Sequence, residues 1–214
     1  MFSNVSARWR RRLRIAVAVW AVLLLAAAFA GSRATVREQV AAADARAAMD
    51  AVLGEAAAAV TGAAVLAAGP LESEPCEVTP VRPGVSLSRT LQVSGATTAQ
   101  VESLADRFSL ESSPDAAAAV WSGDASGYIS VRITAEDTDP PGGRWSEPVL
   151  VHAVTGCRPA DGGAASFAPD PPAEATGAWR YGAVPCPGGE VLSSWTEPVE
   201  AEPFLVHETT GGCA

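Results

Sequence analysis

Two histidines are the first side chains to consider as metal ligands in this 214-residue chain. His152 and His207 each follow a Leu-Val pair, and Glu147 and Glu208 lie near enough in sequence to complete a zinc or copper site. Such a site would make the protein a metal-dependent hydrolase. Histidines in strand-like segments are more simply explained as solvated or hydrogen-bonded side chains on the polar face of a strand. We therefore expect no catalytic residue, no cofactor and no bound metal, and we keep His152 and His207 as weak metal candidates.

An acidic segment at residues 136–139 is the second possible metal site, since alternating carboxylates can bind calcium. It lacks the glycine and the terminal glutamate of known calcium loops, and it runs directly into Pro140-Pro141. We expect an acidic turn there.

Four cysteines, separated by 81, 29 and 27 positions, form no Cys-x-x-Cys pair. This spacing favours structural disulfides in an oxidising compartment over a zinc or redox site. Four cysteines allow three pairings, and we predict Cys76 with Cys157 and Cys186 with Cys213, because each bond then stays within one predicted segment. A Cys157–Cys186 bond would instead close residues 158–178 into a loop of a single domain.

Recognised catalytic motifs do not occur in the sequence. It contains no Gly-x-Ser-x-Gly, His-Glu-x-x-His, P-loop or Gly-x-Gly-x-x-Gly pattern. All 15 basic residues are arginine, so Ser-Lys hydrolases and lysine Schiff-base enzymes are excluded. The arginine, alanine and glycine usage is typical of a high-GC genome, and we expect a protein that is not an enzyme.

The amino-terminal segment determines the expected compartment. Five arginines at positions 8–14 precede 16 uninterrupted apolar residues at 15–30. The run alone is shorter than a hydrocarbon core, but it just suffices for a transmembrane helix if Leu13, Gly31 and Ser32 are included and the Arg14 side chain extends to the membrane interface. The positive-inside rule then places residues 1–14 in the cytoplasm as a basic tail. The prediction is a single-pass membrane anchor at 15–32 with the remaining chain outside the cell membrane.

A cleaved signal peptide is the alternative, because Ala28-Phe29-Ala30 has the small-x-small pattern that signal peptidase accepts. Cleavage after Ala30 would give a secreted protein. Residues 33–60 continue as an alanine-rich helical segment, which we interpret as a stalk and which favours a retained anchor.

The part of the chain beyond the basic tail has ten arginines against 24 acidic residues, a net charge of −14. Such a charge opposes long-range attraction to nucleic acid or to an anionic lipid surface. Nucleic acid is therefore not an expected partner.

Residues 61–157 are predicted to form an α+β domain. Residues 85–93 alternate with period two, placing Val85, Leu87, Arg89, Leu91 and Val93 on one face of a strand. A Thr97-x-x-Gln100 capping box begins a helix that ends near residue 112. Further strands are expected at 61–68, 116–121, 127–135 and 148–155, with a hairpin loop at 122–126. The order suggests a small antiparallel sheet with one packed helix, of ferredoxin-like character.

Residues 158–178 are rich in proline, glycine and alanine and are predicted to be a linker. Residues 179–214 would then form a small β module that needs its disulfide, since 36 residues bury little core. WSEP at 145–148 and TGC at 155–157 recur as WTEP at 195–198 and TGGC at 210–213, a weak sign of duplication.

Four tryptophans in the body of the chain are the remaining candidates for ligand binding. Trp121, Trp145, Trp179 and Trp195 could line a groove for a glycan, peptide or lipid, but core packing is the simpler interpretation. Arg82 and Arg158, each next to a proline, are expected to pair with the acidic surface.

The string CEVTPVRPGVSLSRTL beginning at Cys76, with the amino-terminal segment and TGCRP at 155–159, resembles uncharacterised membrane-anchored exported proteins of actinobacteria. The resemblance covers residues 1–159 and implies an anchor followed by a small domain. It supplies no catalytic residue.

The resulting functional prediction is a membrane-anchored extracytoplasmic protein that is not an enzyme and that binds another component of the cell envelope. An exported domain that binds a glycan, peptide or lipid is the alternative. A metal-dependent hydrolase built on the two histidines is the third possibility.

Overall fold

The computed structural model describes residues 7–35, 40–60, 65–80, 82–114, 118–136, 141–145, 147–160, 180–197, 205–210 and 213. The chain divides into two compact units, Met1–Gln39 and Val40–Ala214. The helices are α1 (Ala7–Thr35), α2 (Ala42–Ala59) and α3 (Thr98–Arg107), and the strands are β1 (Val65–Ala68), β2 (Glu72–Thr79), β3 (Arg82–Ser94), β4 (Glu111–Pro114), β5 (Ala119–Ala125), β6 (Ile129–Ala135), β7 (Val149–Pro159), β8 (Arg180–Pro185), β9 (Val191–Glu197) and β10 (Leu205–Thr210).

The first unit contains α1, whose described apolar side chains are exposed. Within the described residues, no helix has the length and apolar character needed to cross a membrane. The transmembrane anchor predicted at 15–32 was therefore wrong, and the membrane partner predicted with it has no support. The apolar run of 16 residues at 15–30 corresponds to about 24 Å of helix, which is shorter than a hydrocarbon core of about 30 Å.

The second helix, α2, lies in the core of the second unit, so the stalk predicted at 33–60 was also wrong. Met49, Leu53, Ala56 and Ala57 are fully buried. The helix packs against β3, β7 and β8. Gly54 allows the closest approach, because a Cβ atom there would lie 1.9 Å from the carbonyl oxygen of Pro185. Alanine and glycine therefore serve here for close packing of a helix onto strands.

A seven-stranded antiparallel sheet forms the main layer. Six of its strands follow the order β1-β3-β7-β6-β5-β4, and the seventh, β2, pairs with β3 on the same edge as β1. Strand β3 is long enough to pair twice on one edge, with β2 along Arg82–Ser88 and with β1 along Leu91–Ser94. Its other edge pairs with β7. The antiparallel pairing agrees with the prediction, but the ferredoxin-like layout was wrong, because a ferredoxin-like sheet is built from two β-α-β units, whereas here a seven-stranded sheet with one intervening helix, α3, is accompanied by a second, three-stranded sheet.

The inner face of this sheet carries the core. The alternation predicted for 85–93 is confirmed, since all five residues assigned to the apolar face are buried, Arg89 among them. The capping box that begins α3 is also confirmed: Thr97 Oγ1 accepts from the Gln100 amide, and the Gln100 side chain accepts from the Thr97 amide. The alternation and the capping box are both local sequence patterns, and such patterns were sufficient to predict this strand and the start of this helix.

A second, three-stranded sheet has the order β10-β9-β8. It shares one hydrophobic core with the main sheet and α2, to which Val184, Leu192 and Cys186 contribute. The Ala68 amide donates to Ser194 Oγ at 2.8 Å, joining β1 to β9. The carboxy-terminal strands therefore share a core with the rest of the unit. The predicted linker lies outside the described residues except for 158–160.

Candidate interaction site

The turn between β5 and β6, residues Ser126–Tyr128, displays the most exposed aromatic side chain of the second unit that the structure describes. Tyr128 is 68% exposed. Its backbone has a φ of 58°, and the preceding Gly127 has a φ of 73°. Glycine adopts this left-handed conformation freely, whereas a tyrosine there is strained. The surrounding structure must therefore hold Tyr128 in place.

A buried arginine on β7 provides that restraint. Arg158 is buried, and its Nη2 donates to the carbonyl oxygen of Tyr128 at 3.1 Å and to that of Gly127 at 3.4 Å. Its Nε donates to the carbonyl oxygen of Thr155 at 2.7 Å, which fixes the guanidinium itself. On the other side of the turn, a Cβ atom on Gly127 would lie 3.2 Å from Ala48 of α2. The turn is thus fixed from two sides.

A β-bulge in β7 positions Arg158. The register against β3 shifts between Ser86 and Ser88, where Thr155 and Gly156 together face Leu87. The Leu87 amide donates to Thr155 Oγ1 at 3.0 Å, so the side-chain hydroxyl replaces the carbonyl that the bulge displaces. Gly156 has a φ of 66°. This Thr-Gly pair re-aims the strand so that Arg158 reaches the turn.

The disulfide Cys76–Cys157 locks the same end of β7. It joins β2 to β7, the two strands on either side of β3, and it passes over Gly84. A Cβ atom on Gly84 would lie 2.9 Å from Cys157 Sγ and 2.6 Å from the carbonyl oxygen of Arg158. The missing side chain at position 84 therefore makes room for the bond next to the arginine that holds the turn.

This arrangement can present one aromatic ring to a binding partner with little loss of backbone freedom. Tyrosine offers a large contact area, a polar hydroxyl and only two side-chain torsions. A backbone already held in its bound shape lowers the entropy lost on association. The chemistry available at the turn is therefore recognition through packing and hydrogen bonding.

A second polar cluster lies inside the domain, between α2, β3 and β8. Arg89 Nη1 donates to Asp50 Oδ1 at 2.7 Å and also to the carbonyl oxygen of Ala183. Arg46 Nε lies 3.4 Å from Asp50 Oδ2. Burial raises the pKa of the Asp50 carboxyl above its ordinary value, although Arg89 and Arg46 oppose the shift. Burial likewise lowers the pKa of the Arg89 guanidinium, against the opposing effect of Asp50.

The predicted metal candidates lie on different sheets. His152 is half-buried on β7, between Thr90 of β3 and Arg132 of β6. His207 lies on β10, paired with Trp195 of β9. In the described part of the chain, no three His, Cys, Asp or Glu side chains are grouped closely enough to hold a metal ion. Of the acidic segment 136–139, residues 137–139 lie outside the described residues.

The tryptophans do not form an accessible groove within the described residues. Trp145 and Trp195 are only 4% and 6% exposed, and Trp121 is half-buried. Trp179 lies outside the described residues. Arg158 also differs from the expectation that it pairs with the acidic surface, because it is buried and donates to backbone carbonyls.

The disulfides are Cys76–Cys157 and Cys186–Cys213, the pairing predicted from the sequence. No described cysteine is free. Two structural disulfides are typical of proteins outside the cytoplasm.

Sequence reasoning missed both Tyr128 and Asp50. The hairpin loop was expected at 122–126, but β5 continues to Ala125 and the turn is Ser126–Tyr128. The Ser126-Gly127 dipeptide was the available signal, since Ser-Gly is a common turn pair. Asp50 gave a fainter signal, because it is one of three carboxylates in the alanine-rich helix α2 and its partner Arg89 lies on the apolar face of a distant strand.

No protein-family model and no curated protein matches this sequence. Among solved structures, the chain is similar to a DUF4853 family protein from Actinomyces odontolyticus, at 13% sequence identity and a TM-score of 0.47. The similarity covers 81% of this chain and 96% of that one. At this level the similarity shows neither the family nor the function of this chain.

Proposed function

We propose that this chain is an exported protein without enzymatic activity, and that its disulfide-bonded domain binds a protein of the cell envelope through Tyr128. The observation that carries the proposal is the combination of exposure and restraint at one residue. Tyr128 is 68% exposed, yet Arg158 holds its backbone in a conformation that costs a tyrosine free energy.

Export is supported by the two disulfides, which persist in oxidising compartments. The basic and apolar residues at the amino terminus, followed by Ala28-Phe29-Ala30, fit a secretory signal. Amino-terminal sequencing of the protein from its native cell tests this step. A mature chain that begins at Gly31 is the expected result, whereas a cytoplasmic chain with reduced cysteines would contradict export.

A protein partner is supported by the chemistry of the turn. Tyrosine is among the residues enriched at binding hot spots, and its neighbours Ser126 and Gly127 are small and exposed. The net charge of −14 on the body of the chain opposes nucleic acid as the partner.

Site-specific photocrosslinking in the native cell tests the proposal. A photoreactive phenylalanine analogue replaces Tyr128 in one variant and Val191 in the control, since Val191 is 50% exposed and lies at the start of β9. We expect one envelope protein to crosslink from position 128 and not from position 191.

A binding assay with the purified partner then measures the contribution of the Tyr128 ring to the affinity. Tyr128→Ala should weaken binding at least about tenfold, as expected for a hot-spot side chain worth more than about 1.4 kcal/mol. Equal crosslinking from both positions, or unchanged affinity in Tyr128→Ala, would contradict the proposed role of the turn.

A further inference from the structure

The two disulfides differ in their exposure to solvent. Cys186 is 6% exposed and Cys213 is fully buried, whereas Cys76 and Cys157 are both half-buried. A disulfide is reduced when a thiolate attacks one of its sulfur atoms, so the rate depends on access to that sulfur. The Cys76–Cys157 bond is therefore the one that a reductant can reach in the folded chain.

The surroundings of this bond leave room for an attacking thiol. Cys76 lies on β2, where residues 72–75 and Glu77 are exposed. This strand pairs with β3 alone among the described strands, so no described strand covers its outer edge. On β7, Gly156 precedes Cys157 and is exposed, and a Cβ atom added to Gly156 would have no atom within 4 Å.

The same bond is one of few restraints on the end of β7 that carries Arg158. Pairing with β6 extends along β7 only as far as Val154. Beyond the bulge, residues 157–159 pair with β3 on the other edge. Without the disulfide, this end of β7 would be held by that short pairing and by the hydrogen bonds of Arg158 itself.

We infer that Cys76–Cys157 is a redox-sensitive bond that a dithiol reductant of the thioredoxin class opens in the folded protein, and that its opening loosens the turn that carries Tyr128. The turn depends on Arg158, whose Nη2 donates to the carbonyl oxygens of Gly127 and Tyr128. A tyrosine at a φ of 58° relaxes once that restraint weakens. The consequence for binding rests on the proposed function of Tyr128.

The reaction is a thiol–disulfide exchange in two steps. A thiolate of the reductant attacks one sulfur, forms a mixed disulfide and releases the other cysteine as a thiolate, which takes up a proton. The second thiol of the reductant then attacks the mixed disulfide. The chain gains two thiols, and the reductant becomes a disulfide.

Differential alkylation of the purified full chain tests the first part of the inference. The native wild type is treated with dithiothreitol or with reduced thioredoxin, quenched with iodoacetamide and mapped by mass spectrometry. We expect Cys76 and Cys157 to be alkylated at least about tenfold faster than Cys186 and Cys213. Equal rates for the two bonds, or reduction of neither without denaturant, would overturn the inference.

Hydrogen exchange tests the second part. Exchange in the segments 126–128 and 156–159 should rise at least about tenfold on reduction, at exposure times at which residues 89–93 stay protected in both forms. A chain with Cys76 and Cys157 both changed to serine is the control, because its turn should already exchange fast and should not respond to dithiothreitol.

Unchanged exchange at 126–128 after selective reduction of the wild type would overturn the coupling between the bond and the turn. Both measurements use the chain without a partner. Their failure would therefore leave the proposed role of Tyr128 in binding intact, whereas unchanged affinity in Tyr128→Ala would contradict that role alone.

Discussion

Arg158 Nη2 donates to the carbonyl oxygen of Tyr128 at 3.1 Å, so a buried cation fixes the backbone of an exposed aromatic residue 30 positions away. A hydrogen bond from a charged donor is worth more than one between neutral groups. The same guanidinium is held by Thr155 and lies beside the Cys76–Cys157 disulfide. The restraint on Tyr128 therefore comes from the most heavily cross-linked part of the sheet.

Tyr128→Gly tests whether the turn is strained. Glycine adopts the φ of 58° without the steric cost that a side chain incurs, and the exposed ring contributes little packing. We expect the free energy of unfolding to rise by about 1 kcal/mol, measured by urea denaturation. The reverse control is Gly156→Ala, at a φ of 66° with no atom within 4 Å, which should lose about 1 kcal/mol. A loss of stability in Tyr128→Gly would show that the ring packs more than its exposure indicates.

Gly84→Ala tests the crossing of the disulfide over β3. The added Cβ would lie 2.6 Å from the Arg158 carbonyl oxygen and 2.9 Å from Cys157 Sγ, both held by their neighbours. We expect a loss of about 3 kcal/mol in the free energy of unfolding. Gly123→Ala is the matched control in β5, where the nearest atom is Leu110 Cδ2 at 3.1 Å, part of a side chain that can move. The control should lose less than about 1 kcal/mol, and equal losses would contradict the explanation.

The parts of the fold that the sequence predicted correctly are those set by local patterns. The alternation at 85–93 placed Arg89 on the buried face, and Thr97-x-x-Gln100 marked the start of α3. The cysteine pairing followed from sequence order alone. Each of these signals is contained in a short stretch of chain or in simple spacing.

The errors within the second unit came from contacts between distant segments. From sequence alone, the alanine-rich segment containing Met49 and Leu53 fits a stalk as well as a core helix. The close packing of Gly54 against Pro185, 131 positions later, distinguishes the two. The ion pair between Asp50 and Arg89 joins residues 39 positions apart. The two pairings of β1 and β2 along one edge of β3 likewise depend on strand length and register, which no local pattern encodes.

Asp50 predicts a pH dependence of stability. Burial raises its pKa in the folded state above the ordinary value of 3.8, so the folded state binds more protons than the unfolded state in the range just above 3.8. The contribution of Asp50 to the free energy of unfolding is therefore complete below pH 3.8 and is lost as the pH rises from 3.8 through the folded-state pKa.

Urea denaturation across this pH range compares the wild type with Asp50→Asn, which does not titrate. Because Asn resembles the protonated carboxyl, the two chains should differ little in stability near pH 3.8. The wild type should then lose stability relative to Asp50→Asn as pH rises above 3.8, since burial disfavours the ionised carboxylate. A wild type that gains stability relative to Asp50→Asn as pH rises would show that the Arg89 and Arg46 charges outweigh burial and lower the pKa of Asp50.

Removal of the Cys186–Cys213 disulfide tests whether the carboxy-terminal sheet unfolds together with the rest of the domain. A chain with both cysteines changed to serine loses the loop closure of 27 residues, worth about 3.5 kcal/mol in the loop-entropy model. Because Cys186, Val184 and Leu192 share the core of α2 and the main sheet, we expect one cooperative transition at a lower denaturant concentration.

The matched variant without Cys76 and Cys157 should lose about 4.5 kcal/mol, since its loop spans 81 residues. Hydrogen exchange provides the decisive measurement: if β8 and β9 lose protection while α2 keeps it, the carboxy-terminal sheet is a separate folding unit and the shared core does not couple them. Peptide mapping of the unreduced wild type gives the check on connectivity, because a peptide joining Cys157 to Cys186 would contradict both bonds.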